Sequence, residues 1–314
     1  MRNRITTVTL NAAIDKTYYV SSLAPGGVTR VGRVLAAAGG KGVNVAKVLR
    51  QLGHEDVTAT GFAGGHNGRF IASKLAEAGI HAAFTETKGE SRICLNIIAE
   101  DDGASTELLE PGPQIGEAEL ETFKLLLREL SRDSALVAFS GSLPRGVSAG
   151  LYAELIAIAK SEGAQTLLDT SGEALALGVA ALPSFVKPNE DEARALLGEA
   201  SGQALRDALA ALMERGLRAA VVTLGAEGAV AAAEGSLYRV RIPRINPVNT
   251  VGSGDSFVAG YAYGRVRGWP AAECFRYAAA AGCANALSSV AGDVDIEVRD
   301  RLLKEITVEE WSLE

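Results

Sequence analysis

Short, continuously apolar runs alternate with amphipathic ones along almost the whole chain. Residues 6–10 (T-T-V-T-L), 57–62 (V-T-A-T-G-F), 135–139 (A-L-V-A-F), 166–169 (T-L-L-D), 185–187 (F-V-K) and 219–224 (A-A-V-V-T-L) read as strands. Between them, 43–52, 68–78, 117–130, 151–160, 191–197 and 204–215 read as helices, and further helices start at 255 and 271. Gly53, Gly79 and Gly163 stop three of them. Strands that are apolar on both faces need cover on both faces. The pattern predicts an α/β fold: a doubly wound, mostly parallel sheet flanked by helices. In such a sheet ligands bind beyond the carboxyl ends of the strands.

Two regions break the alternation. Residues 18–34 are extended and turn-rich around Pro25-Gly26-Gly27, and residues 93–99 and 105–109 form two strand-like runs around Asp101-Asp102-Gly103. Together they predict a small antiparallel sheet set apart from the main one. No linker, repeat or low-complexity tract divides the rest. The expectation is one domain over residues 1–314, with a β-sheet lid formed by about 12–34 and 90–110.

Composition narrows the function. The formal net charge of −7 argues against a general nucleic-acid binder. An anionic ligand must then be held by a local cluster of cations and amides. No run of about 18 apolar residues exists to span a membrane. The cysteines, Cys94, Cys274 and Cys283, are odd in number and lack C-x-x-C spacing, which fits a reducing cytoplasm. His54, His66 and His81 have no i,i+4 spacing for a zinc site.

The strongest chemical motif is N-T-V-G-S-G-D-S-F at 249–257, leading into a helix. Gly252 and Gly254 allow a tight turn that exposes several N–H groups at a helix N-terminus, where anions are favoured. Asp255 is placed to accept the proton of an attacking hydroxyl. The competing reading is that Asp255 merely caps the helix. A second motif, A-G-G-K-G-V-N at 38–44, also opens a helix. It lacks the spacing of a P-loop, but its glycines admit a ligand, Lys41 supplies a cation and Asn44 can bond a hydroxyl. In K-P-N-E-D-E at 187–192, Asn189 and Glu192 could orient water around magnesium or form a capping box. Finally, V-T-L-G-A-E-G-A at 222–229 reads as strand, glycine turn and strand.

These motifs, in this order, resemble the PfkB carbohydrate kinase (ribokinase) family. T-L-N-A-A-I-D (9–15), S-G-S-L-P-R-G (140–146) and D-T-S-G-E-A-L (169–175) extend the likeness over nearly the whole chain. Within the family, T-L-N-x-x-x-D, Ser91-Arg92 and L-E-P-G-P (109–113) are similar to the 1-phosphofructokinase and tagatose-6-phosphate kinase branches. The resemblance implies an ATP-dependent kinase that turns a ketohexose phosphate into a bisphosphate with ATP and Mg2+. The alternatives are a kinase of an unphosphorylated sugar or nucleoside, or a silent sensor. It further implies that Asp255 is the base and that Gly252, Ser253 and Gly254 form the anion hole. Asp15, Gly39, Gly40 and Asn44 would hold the sugar, and Arg30, Lys41 and Arg92 its phosphate. Lys187, Asn189 and Glu192, the last through water, would serve the nucleotide phosphates and Mg2+. Thr223, Gly225 and Gly228 would line the ATP site with Asn285 near the adenine. A homodimer through the lid is also implied. Asn249 stands where relatives usually carry Asp beside a monovalent-cation site, which leaves potassium dependence open. Ser253 in place of Ala and Ala12 in place of Pro are small changes.

Overall fold

The computed structural model describes residues 2–197 and 202–312. Its strands, in chain order, are β1 (Arg4–Thr9), β2 (Ala13–Val20), β3 (Arg33–Gly39), β4 (Val57–Gly64), β5 (His81–Thr87), β6 (Arg92–Ala99), β7 (Ser105–Leu109), β8 (Ser134–Ser140), β9 (Gln165–Asp169), β10 (Phe185–Val186), β11 (Ala219–Thr223), β12 (Ala229–Ala233), β13 (Ser236–Arg241) and β14 (Thr307–Ser312). Its helices are α1 (Lys41–Gln51), α2 (Gly65–Glu77), α3 (Glu117–Asp133), α4 (Leu151–Ser161), α5 (Gly172–Ala180), α6 (Glu190–Leu197), α7 (Gly202–Glu214), α8 (Ser253–Val266), α9 (Ala271–Ala286) and α10 (Ile296–Leu303).

Ten strands make the main sheet, ordered β14-β13-β12-β11-β10-β9-β8-β1-β4-β5. From β11 to β5 every neighbouring pair is parallel, whereas β11 to β14 run antiparallel. The central strands are buried on both faces, with buried threonines such as Thr7 and Thr58 interleaved among their apolar residues. One face packs on α1, α2, α8, α9 and α10, through Val45, Ile71, Phe257, Phe275 and Leu302. The other packs on α3 to α7, through Phe123, Leu155, Leu175, Ala193 and Leu209. The strand order reverses direction at β1, which has β4 on one side and β8 on the other. A crevice therefore opens beyond the carboxyl ends of β1 and β8.

The two irregular regions form one four-stranded sheet, ordered β3-β2-β6-β7. Its central pair, β2 and β6, is parallel, contrary to the wholly antiparallel expectation. Other chain segments separate these two strands, so no hairpin forces them to oppose. The sheet also reaches further than expected, because β3 runs on to Gly39 and delivers the chain straight into α1. The segment between β2 and β3 is exposed.

Candidate active site

Five ends of secondary structure converge on the crevice. Gly40, with a φ of 101°, turns the chain from β3 into α1. Gly252, in the left-handed region at φ 84°, turns it into α8. The loops after β1, β8 and β9 contribute Asn11, Ser142 and Ser171 to a cavity of about 210 Å³, whose wall also includes Lys41 and Arg92.

Asp255 is not a helix cap. It is the third residue of α8, and no side chain caps that helix. Its carboxylate instead accepts a hydrogen bond from Asn44 Nδ2 at 2.9 Å. The residue is buried, and this burial, aided by Asp169, pushes its pKa up to about 6 despite Lys41, Asn44 and Lys187. Asp255 is thus poised to change protonation state close to neutral pH.

Asp169, at the end of β9, is the ionic hub. Its Oδ1 lies 3.2 Å from Lys187 Nζ and 3.5 Å from Lys41 Nζ. These are ion pairs rather than aligned hydrogen bonds, since neither carboxylate oxygen has a hydrogen-bond partner of good geometry among the described residues. Burial opposes its charge, but the two lysines outweigh burial and hold the carboxyl below its usual range. Asp169 in turn raises the pKa of Lys41, with Asp255 and Glu192 adding to it against burial. Sequence reasoning assigns Asp169 no role, although an Asp ending a buried strand is a usable signal for a site at the carboxyl edge.

Asp15, on β2, reaches back over the start of α1. A side-chain carbon at Gly39 would lie 2.1 Å from the Asp15 carboxyl carbon. Burial raises the Asp15 pKa, and Lys47, Arg92 and the Gly40 N–H oppose the rise. Arg92 is anchored by two backbone carbonyls, Asn11 at 3.1 Å and Glu110 at 3.3 Å, which leaves part of its fork for the cavity. Lys41 and Arg92 thus share one wall.

Other expected residues lie differently. Arg30 stands in the exposed segment between β2 and β3, has no hydrogen bond or ion pair among the described residues, and does not line the cavity that Lys41 and Arg92 wall. Asn285 cannot face an adenine: it is fully buried and its amide is saturated. Its Nδ2 donates to the Val251 carbonyl (2.9 Å) and Ser253 Oγ (3.3 Å), and its Oδ1 accepts from the N–H groups of Gly292 (2.8 Å) and Asp293 (3.3 Å). It is the strut that shapes the Gly252 turn. Asn189 and Glu192 form the capping box of α6, each accepting the other's backbone N–H at 2.9 Å. Gly228 is buried, and a side-chain carbon there would meet the Val240 carbonyl oxygen at 2.1 Å, so packing explains that glycine. Gly225, by contrast, faces open space, and Thr223 is half-buried beside Asn189. Gly254 has Lys187 as its neighbour: a side-chain carbon at Gly254 would lie 3.2 Å from Nζ.

Residues 8–297 match the pfkB family of carbohydrate kinases. The chain belongs to that family. It is 38% identical over 309 residues to a tagatose-6-phosphate kinase of Staphylococcus epidermidis, covering 97% of this chain and 99% of the relative. Its fold is similar to that of phosphofructokinase-2 from Escherichia coli in complex with potassium, with a TM-score of 0.91, 29% identity and coverage of 96% and 98%. The same enzyme in complex with fructose-6-phosphate gives a TM-score of 0.88 at 28% identity, with the same coverage. As a pfkB kinase, the chain carries a fold with a large, mostly parallel sheet flanked by helices, as its sequence pattern led one to expect.

Proposed function

We propose that this pfkB kinase transfers the γ-phosphoryl group of ATP to a hydroxyl of a ketohexose phosphate, giving a bisphosphate. Tagatose 6-phosphate, phosphorylated at C1, is the first choice, because the relative of that name spans nearly the entire chain at 38% identity. Fructose 1-phosphate, phosphorylated at C6, is the second reading, since the L-E-P-G-P and Ser91-Arg92 signatures fit both. The observation that carries the reading is the buried Asp255 carboxylate at the N-terminus of α8, which feels the charge of Lys41, itself in the cavity wall with Arg92.

In this reading Asp255 accepts the hydroxyl proton as the oxygen attacks. The amides of Gly252 and Gly254 stabilise charge on the phosphoryl oxygens, helped by the helix macrodipole, whereas the Ser253 N–H is donated to the Thr250 carbonyl at 3.2 Å. Asp15, Asn44 and the backbone of Gly39 and Gly40 hold sugar hydroxyls. Arg92 and Lys41 hold the acceptor's phosphate; a planar guanidinium already fixed by two carbonyls loses little freedom in doing so. Lys187, Thr223 and Gly225 face the nucleotide. Among the described residues no group of three His, Cys, Asp or Glu side chains can cage a metal. Mg2+ would therefore be carried mainly by phosphate oxygens and water, as is common for this ion, with Glu192 reaching it through water. When bound, it would neutralise charge between the β- and γ-phosphates. Asn249 uses Oδ1 for the Val251 N–H (2.9 Å) and Nδ2 for the Ser289 carbonyl (3.3 Å). A cytoplasmic location fits such a reaction. Exposed Val34, Leu35, Leu108 and Leu109 on the small sheet favour a homodimer through this lid.

The test is an ADP-release assay over tagatose 6-phosphate, fructose 1-phosphate, fructose 6-phosphate, ribose and adenosine. Turnover with a ketohexose phosphate at least about 100-fold better in kcat/KM than with ribose or adenosine is expected. Preference for an unphosphorylated acceptor would overturn the reading.

A further inference from the structure

Lys47 has no part in the roles given above, yet α1 carries it to the middle of the site. It follows Asn44 by three residues and so shares its helix face. Its Nζ donates to the Ala291 carbonyl at 3.1 Å and, more weakly, to Asn44 Oδ1 at 3.5 Å. An amide has one accepting and one donating end. With Oδ1 turned to Lys47, Nδ2 is the end that meets Asp255, at 2.9 Å. The reversed amide would set an oxygen against the carboxylate and lose both bonds.

Lys47 also ties α1 to the loop on which the catalytic turn rests. A side-chain carbon at Gly252 would lie 2.7 Å from the Gly292 nitrogen, so that turn packs directly on the loop. One helical turn on, Gln51 grips the same loop: its Oε1 accepts the Val294 N–H at 2.9 Å and its Nε2 donates to Asp293 Oδ1 at 3.3 Å.

Three carboxylates face Lys47: Asp15 from β2, Asp293 from the loop and Asp255 from α8. Burial disfavours the lysine's charge, and these acids resist that effect. Asp15 is faced in turn by Lys47, Arg92 and Glu107, and Asp255 by Asp169, Lys41 and Lys187. Among the cations around Asp15, Lys47 counts most.

We propose that Lys47 is a positioning residue for phosphoryl transfer: it fixes which end of the Asn44 amide faces Asp255, and its charge serves Asp15 and Asp255 together. This rests on Asp255 being the base. Lys47→Met, Lys47→Arg and Gln51→Leu test it through the pH dependence of kcat/KM for the sugar phosphate. Lys47→Met should move the acid limb up by about half a pH unit or more, because both carboxylates lose a cation. Its loss of rate should be largest near pH 6 and smallest near pH 9. Lys47→Arg should restore the limb. Gln51→Leu, which loosens the same loop without removing charge, should lower the rate equally at every pH. An unmoved limb in Lys47→Met, or one that Lys47→Arg fails to restore, overturns the proposal. Should Lys47→Met not fold, Lys47→Gln is read by the same criterion. Asp255→Asn separates the two readings. Retained turnover there removes the base, whereas lost turnover with an unmoved Lys47→Met limb removes only the role of Lys47.

Discussion

At the start of α1, glycine is needed because a carboxylate from the small sheet lies on the backbone: a Cβ at Gly39 would fall 2.1 Å from the Asp15 carboxyl carbon. At the start of α8, glycine is needed for a left-handed turn at Gly252 and for its packing against Gly292. Each turn opens a helix, and Asn44 of the first helix bridges to Asp255 of the second. Both turns need a positive φ, at Gly40 and at Gly252, but only the first also has a carboxylate side chain approaching its backbone, at Gly39. A glycine-rich helix start is thus one sequence device with two structural causes. The cause decides what a substitution will damage.

The largest expected effect tests the α8 turn. Asp255→Asn should lower kcat by about 1,000-fold or more, since the base is lost while the bond from Asn44 can persist. Its melting temperature at pH 8 should be no lower than wild type. The sign follows from the folded pKa of about 6 against the ordinary 3.8. The folded protein holds its proton more tightly, so stability falls as pH rises from about 4 to 6 and the cost persists above. Removing the charge relieves a cost on the order of 2–3 kcal/mol. A marked loss of melting temperature with kcat retained would make Asp255 structural. Next, Gly39→Ala should raise KM for the sugar phosphate about 10- to 100-fold by displacing Asp15, with KM for ATP nearly unchanged. Equal effects on both substrates would erase the contrast between the turns. The smallest effect is the pH dependence of the wild type. Its kcat should fall on the acid side with an apparent midpoint near 6, as Asp255 takes up a proton. A rate flat down to pH 4.5 would contradict the assigned base.

Much of the fold is legible because a strand buried on both faces announces itself by continuous apolar sequence. The segments less easily read are those with mixed faces. β5 is an edge strand with alternating burial, and α5 begins within D-T-S-G-E-A-L, where motif chemistry masks a helix start. In the site, the glycine turns are readable, since close approach and left-handed backbone leave glycine in the sequence. Pairings across the chain are not. Asn44 and Asp255 stand 211 residues apart. The family resemblance groups Arg30 with Lys41 and Arg92, but its segment lies exposed. Asn285 reads as a ligand neighbour in the sequence, whereas a polar group at 0% exposure must be satisfied internally.

Gly40 alone separates the last residue of β3 from the first of α1. The small sheet is therefore levered from the floor of the acceptor pocket rather than hung from its rim. Swinging that sheet outward about Gly40 would carry Asp15 and Gly39 together, because both belong to it. If the small sheet is the cover over the proposed sugar site, the Asp15–Gly39 pairing would travel with it as one preformed piece.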